Sequence, residues 1–280
     1  MTKSNEYLIA STTPGRYRIF DSRSRKPIYY KKQDGSGGAV VEELDYIKID
    51  NNKQKIMYLP PNPIAIQLSI VKFCINEAKN LDVNKTIKER SDKILKEKVH
   101  GDTKDIYNHI SLVQQAIVFS YTALETFSNL SIPNDYEYTK TNNKNIKETY
   151  NKESIERWIS LKEKLSRILV EVYGTESITK KKFWNHFLDL EAYRHDIIHQ
   201  KSVNYSSFYR KYFKNSIYHK LNVAEEIIKF FYEEVEKRDT TNPIWPWISS
   251  DKNSMPMNYG AESFFSNSKI IGNLYEGKKK

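Results

Sequence analysis

The chain has 280 residues, of which 39% are hydrophobic, and its formal net charge is +10. This apolar content is sufficient for a folded core and excludes global disorder. The single cysteine, Cys74, excludes an intrachain disulfide bond and favours a reducing, cytoplasmic location. We expect neither a membrane-spanning helix nor a secretory signal, because no run of about 20 apolar residues is present and the first residues are polar.

The surplus of positive charge leaves two interpretations open. A basic balance favours a polyanionic partner such as nucleic acid or an anionic membrane surface. The abundant Lys, Asn, Ile and Tyr residues are also typical of an AT-rich coding sequence, which raises the charge without any binding function. Charge alone therefore does not decide between these interpretations.

Residues 1–60 are predicted to form strands and turns. Short aromatic and β-branched runs alternate with turn residues, and the runs are 16–20, 27–30, 44–49 and 55–59. Residues 50–53 are predicted to form a hairpin loop between the last two runs. The segment Pro60-Pro-Asn-Pro63 interrupts regular structure and predicts a boundary there.

Residues 61–238 carry apolar side chains at helical spacing, which predicts an antiparallel bundle of four to five helices. A first helix begins at Pro63, and the later segments with this pattern are 106–131, 154–173, 180–199 and 221–237. Gly174 predicts the end of the helix that precedes it. The charged residues 81–105 either extend the first helix or form an exposed excursion.

Two polar stretches are predicted to lack regular strands or helices. Residues 134–150 include Asn142-Asn-Lys-Asn145 and are predicted to form a loop. Residues 239–280 are predicted to form an irregular tail packed by its tryptophans. The sequence therefore predicts a mainly α fold: a small β-rich N-terminal region (1–60), a helical domain (61–238) and a tail (239–280).

One short segment carries a distinctive set of chemical groups, Glu191-Ala-Tyr-Arg-His-Asp-Ile-Ile-His-Gln200. On a helix, His195 and His199 lie about 40° apart on one face, and Arg194 lies about 140° from His199. The dipole at a helix C-terminus favours cations. A histidine exchanges a proton near neutral pH, and an arginine offers planar donors to phosphate oxygens. Since RNA carries its own nucleophile, the 2′-hydroxyl, this set of side chains predicts RNA cleavage without a metal.

Alternatives to catalysis remain open for the same residues. Arg194 and His199 can be a helix-terminal arginine and a capping histidine, and His195 can be bonded within the bundle. The pair His195 and His199 also has the spacing of two zinc ligands. A zinc site needs further ligands, and the other histidines show no ligand spacing: His100, His109, His186 and His219. We therefore predict no metal site and no cofactor.

The segment Arg194-His-Asp-Ile-Ile-His199 resembles the R-x4-6-H signature of the HEPN superfamily, with a polar residue directly after the arginine. The surroundings are similar too, because Ser120–Asn129 resembles the second helix of the family and Ser160–Leu169 the third. The aromatic run Phe183–Phe187 precedes the motif, and a final helix follows it. The resemblance covers roughly residues 61–238.

This resemblance implies a homodimer whose two motifs face each other across a basic cleft and cleave single-stranded or loop RNA, leaving a 2′,3′-cyclic phosphate. It implies His199 as general acid or base, Arg194 as the group that stabilises the phosphate, and His195 as an assisting residue. HEPN ribonucleases serve in toxin–antitoxin, abortive-infection and CRISPR-linked defence, so an inhibitor or trigger protein is an expected partner. Residues 1–60 do not resemble the sensor modules often paired with HEPN domains.

Other residues are predicted to support the site. Glu125 can orient Arg194 through an ion pair or remain a solvated charge, and Asp196 is a second supporting residue. The segment after the motif mixes bases with aromatics and predicts RNA contacts, or a loop packed on the bundle; its candidates are Tyr205, Tyr209, Arg210 and Lys211. Two non-catalytic alternatives remain: an inactive HEPN module that binds RNA or a partner protein, and an adaptor whose β-rich region recognises a protein.

Overall fold

The computed structural model describes residues 5–11, 19–32, 34–49, 51, 54–81, 96–199, 205–235, 244–247, 255–259 and 268–273. These residues are mostly helical, with a small N-terminal antiparallel sheet, which confirms the mainly α fold class. The chain divides into two compact units, one formed by residues 1–66 with 231–280 and the other by residues 67–230. No helix in the described ranges is both long and apolar enough to cross a bilayer.

The elements follow one another along the chain. The strands are β1 (Asn5–Ser11), β2 (Ile28–Lys31), β3 (Gly38–Ile49), β4 (Gln54–Tyr58), β5 (Glu137–Thr141), β6 (Lys147–Asn151), β7 (Met257–Tyr259) and β8 (Ser268–Asn273). The helices are α1 (Pro63–Asn80), α2 (Lys96–Ser131), α3 (Lys152–Trp158), α4 (Leu161–Glu163), α5 (Leu169–Tyr173), α6 (Trp184–Ile198), α7 (Tyr205–Arg210) and α8 (Ile217–Val235). A π-helical turn, Lys164–Ile168, joins α4 to α5.

The first unit is built on a sheet with the strand order β7-β2-β3-β1-β8, and β4 pairs with the far end of β3. The central strand β3 is antiparallel to β1, β2 and β4. Successive residues of β3 face opposite sides of the sheet, so Val40 packs with Trp247 and Met255 while Val41 clusters with Ala39. Three predicted runs are thus confirmed as strands. Of the fourth, 16–20, residues 16–18 lie outside the described part and 19–20 are not in a strand.

The tail differs from the prediction, because it contributes two strands to this sheet. Strand β7 pairs in parallel with β2, and β8 pairs in parallel with β1. The expected packing of the tail tryptophans is observed, since Trp245 and Trp247 are both buried. Parallel pairing joins segments from opposite ends of the chain without a local turn, so no nearby residue pattern indicated these strands.

The second unit is helical, and its long helices follow the predicted apolar stripes. In α2, Val113, Ile117, Leu124 and Phe127 are completely buried. The first helix ends at Asn80 and α2 begins at Lys96, so residues 96–105 belong to α2 and do not extend the first helix, whereas residues 82–95 lie outside the described part. The final helix starts four residues earlier than predicted, at Ile217.

The polar stretch after α2 is a β-hairpin and not a loop. Strands β5 and β6 pair in antiparallel register, and the turn between them places Asn145 at φ 58°, a conformation that asparagine tolerates. The Asn142 side chain accepts hydrogen bonds from the backbone N–H groups of Lys144 and Ile146. The hairpin is anchored by Tyr138, which is buried and donates its hydroxyl to Glu163 at 2.8 Å. Such anchoring is a tertiary contact, which a polar sequence does not signal.

The helix predicted over 154–173 is interrupted. Ile159 is extended, and the Ser160 hydroxyl accepts a hydrogen bond from the Glu163 N–H, which starts a new helix. Beyond this break Lys164 is buried, and its ammonium donates to the Asn129 side chain at 2.8 Å and to the Glu156 carbonyl at 2.9 Å. The predicted end at Gly174 is confirmed, with φ 59° in the left-handed region.

Two glycines provide a stability test with opposite expected signs. Gly174→Ala forces a Cβ into a left-handed conformation and should lower the free energy of unfolding by about 1 kcal/mol. Gly101→Ala lies inside α2 with open space around the added Cβ and should raise it by roughly 0.5–1 kcal/mol. Urea unfolding of both variants measures the effects. Shifts of the same sign would contradict the assigned backbone conformations.

Candidate active site

Helix α6 presents the motif at its C-terminal end. Its buried side chains Trp184, Phe187 and Leu190 recur at helical spacing and hold one face against the unit's interior, where α6 packs on α2. The helix ends at Ile198, and His199 follows as the C-cap with φ −114° and ψ 43°. The Arg-to-His motif therefore occupies the last helical turn, where the dipole favours positive charge.

His195 and His199 lie side by side on the outside of this turn. Their ring centroids are 4.7 Å apart, as the four-residue spacing predicts, and both side chains are exposed. The His199 backbone N–H donates to the His195 carbonyl at 2.9 Å. Within the described residues, neither imidazole ring makes a hydrogen bond, so its nitrogens are available to an external ligand.

Arg194 is half-buried and points towards α2. Its guanidinium carbon is 5.0 Å from the centroid of the Tyr121 ring, a cation–π contact whose strength is of the order of 0.5–2 kcal/mol. No hydrogen bond or ion pair of Arg194 occurs among the residues that the structure describes.

The Tyr121 hydroxyl and the Glu191 carboxyl both lie near enough to this arginine for its charge to act on them. Burial raises the pKa of Tyr121 to about 12, and the charges of Glu125 and Glu191 add to that effect while Arg194 opposes it. Burial also raises the pKa of Glu191, against the opposing influence of Lys162, Tyr121 and Arg194. Sequence inspection missed Tyr121. The available signal was a tyrosine adjoining the apolar stripe of α2, where its hydroxyl needs a polar partner.

Glu125 is half-buried on α2, one turn after Tyr121. Its charge acts on the Tyr121 hydroxyl and on the ammonium of Lys164. Burial lowers the pKa of Lys164, and the carboxylates of Glu125 and Glu156 oppose that shift. No ion pair joins Glu125 to Arg194 in the described part of the chain.

Asp196 and Lys211 form an ion pair on the other side of α6, with 2.7 Å between the carboxylate oxygen and the ammonium. The Lys211 ammonium also lies 4.2 Å from the centroid of the Tyr193 ring and 4.8 Å from that of Phe208. From α8, Lys220 binds Asp189 at 2.8 Å and lies over the same Tyr193 ring. These contacts hold the segment after the motif, and α8, against α6.

The other predicted RNA contacts lie in this same segment. The Tyr209 ring packs on Phe208 and Tyr212, and Arg210 is exposed. Tyr205 is the first residue of α7, and its side chain lies outside the described part. The contacts of Tyr209 and Lys211 support the alternative of a segment packed on the helices, whereas Arg210 remains accessible to a ligand.

The zinc alternative requires a third ligand near the histidine pair. In the ranges that the structure describes, no group of three or more His, Cys, Asp or Glu side chains is arranged to hold a metal ion. Comparisons of the chain with protein-family models, curated proteins and solved structures each found no match. The HEPN resemblance therefore remains a prediction from the motif and its placement.

The half-buried Glu191 carboxyl predicts a pH dependence of stability. A folded pKa above the ordinary value of 4.5 means that the folded state binds more protons, so this contribution is present at low pH and is lost as pH rises through the folded pKa. Glu191→Gln should therefore gain stability relative to wild type between pH 4 and pH 7. Denaturant unfolding at both pH values measures this difference.

The matched control is Glu176→Gln. Glu176 is exposed, and its hydrogen bond with Lys181 lowers its pKa, so its contribution is present at neutral pH and lost as the pH falls. This variant should lose stability relative to wild type over the same interval. A Glu191→Gln difference that is the same at pH 4 and pH 7 would show that the carboxyl is not desolvated.

Proposed function

We propose that the protein is a metal-independent endoribonuclease of the HEPN type. One observation carries the proposal: at the end of α6, Arg194 has no hydrogen-bond partner among the described residues and is followed by His195 and His199, whose exposed rings are 4.7 Å apart. A phosphodiester needs a cation for its oxygens and groups that exchange protons, and these side chains provide both types.

The reaction uses the 2′-hydroxyl of the RNA as nucleophile. A histidine, assigned to His199, removes the proton as the 2′-oxygen attacks phosphorus. The bond to the 5′-oxygen breaks, and that oxygen takes a proton from a second imidazole, either His195 or a histidine of another copy. Arg194 stabilises the charge on the phosphoryl oxygens. The products are a 2′,3′-cyclic phosphate and a 5′-hydroxyl end.

The proposal includes an assembly and a setting. Two copies would bring their motifs together in a homodimer, which supplies two arginines and two pairs of histidines to one cleft. The net charge of +10 is compatible with binding a polyanion. The setting is the cytoplasm, in a defence or toxin-type system with an inhibitor or trigger protein.

Removing the side chain of His199 or of Arg194 should slow RNA cleavage strongly. His199→Ala should reduce the rate of RNA cleavage in EDTA by about 10²–10⁴-fold, the contribution typical of a general acid or base. Arg194→Ala should reduce it by about 100-fold or more, because the phosphoryl charge loses its donor. Gel analysis of a labelled RNA incubated with each purified variant measures these effects.

His219→Ala is the matched control, since His219 is also exposed but lies on α8 and stacks on His186. It should cleave at the wild-type rate. Undiminished cleavage by both Arg194→Ala and His199→Ala would remove the assignment of the site. Binding of RNA without turnover by the wild type would favour the inactive HEPN module.

The role of the 2′-hydroxyl gives a separate prediction. An RNA with a single 2′-deoxy nucleotide on the 5′ side of the scissile phosphate should not be cut there, while other positions are still cleaved. Mapping of the 5′ ends, together with detection of cyclic phosphate, measures this outcome. Cleavage at the deoxy position would contradict attack by the 2′-oxygen.

A further inference from the structure

A buried tyrosine of α2 lies against the motif arginine. Tyr121 is 8% exposed, and the guanidinium carbon of Arg194 lies over its ring, 5.0 Å from the centroid. Glu191 precedes Arg194 by three residues on the same side of α6, and its charge acts on Tyr121 and Arg194. The ring of Tyr121 is thus the contact that holds Arg194 towards α2.

This arrangement restricts an otherwise flexible side chain. An exposed arginine loses rotamer freedom when it binds a phosphate, and that loss opposes binding. Contact with a buried ring restricts the guanidinium before a ligand arrives, and no hydrogen bond within the described residues occupies its N–H groups. A lysine cannot replace it, because an ammonium has no planar face and no fork of donors.

We propose that Tyr121 is a positioning residue that holds the Arg194 guanidinium in the orientation in which it binds the scissile phosphate. This role rests on the ribonuclease function proposed for the site. Tyr121 acts through its ring, and its side chain does not touch the RNA.

A double-mutant cycle separates positioning from general stability. Tyr121→Leu should lower kcat by about 100-fold with little change in KM, the loss typical of a misplaced catalytic group. Tyr121→Phe keeps the ring and should lose only about threefold. In an Arg194→Ala background, Tyr121→Leu should cause no further loss, because no guanidinium is left to position. Equal losses in both backgrounds, or no loss in either, would overturn the proposal.

Tyr138→Leu is the matched control, because Tyr138 is similarly buried but belongs to the β5–β6 hairpin, where its hydroxyl donates to Glu163. It should leave kcat and KM unchanged. Circular dichroism of every variant detects unfolding, and Tyr121→Phe keeps the comparison interpretable if Tyr121→Leu does not fold.

A second measurement does not depend on cleavage. The side-chain NMR signals of Arg194 should be shifted upfield by the Tyr121 ring, retain that shift in Tyr121→Phe and lose it in a folded variant without the ring. If the wild type cuts no RNA but shows this shift, the ribonuclease proposal fails while the contact that holds Arg194 stands. An Arg194 signal without a ring-dependent shift overturns the positioning role whatever the activity.

Discussion

The buried face of α6 determines which way the motif faces: Trp184, Phe187 and Leu190 pack into the interior, and Arg194, one turn later, lies over the buried ring of Tyr121. Each residue on a helix turns by about 100°, so His195 and His199 are rotated by about 100° and 140° from Arg194. When Arg194 faces α2, both histidines point away from that helix, and both are exposed. The packing of one helix face thus sets the accessibility of all three basic side chains.

The break in the helix after the β5–β6 hairpin places two lysines, Lys162 and Lys164, near the carboxylates around the candidate site. Because the chain is extended at Ile159 and restarts at Ser160, Lys164 becomes buried with partners for its ammonium. Lys162, just after the restart, is close enough to lower the pKa of Glu191. A buried charge is tolerated only when such partners are present. The break in the helix therefore bears on the electrostatics of the site.

The opposite side of α6 is held by a second tyrosine. Two ammonium groups, from Lys211 and Lys220, lie over the Tyr193 ring and are neutralised by Asp196 and Asp189 respectively. The motif helix is thus fixed by a tyrosine of α2 on one side and by its own Tyr193 on the other. These contacts keep the last turn of α6 rigid without covering the two histidines.

The sequence by itself determined the features that depend on neighbours along the chain. Helical periodicity located α2 and α8, the left-handed glycine marked the end of α5, and the four-residue spacing placed His195 beside His199. Only the tertiary structure decided the β5–β6 hairpin, the strands of the tail, the break before α4 and the contact of Tyr121 with Arg194. Each of these depends on a contact between segments distant in sequence, and such contacts leave no periodic or turn pattern in the residues that form them.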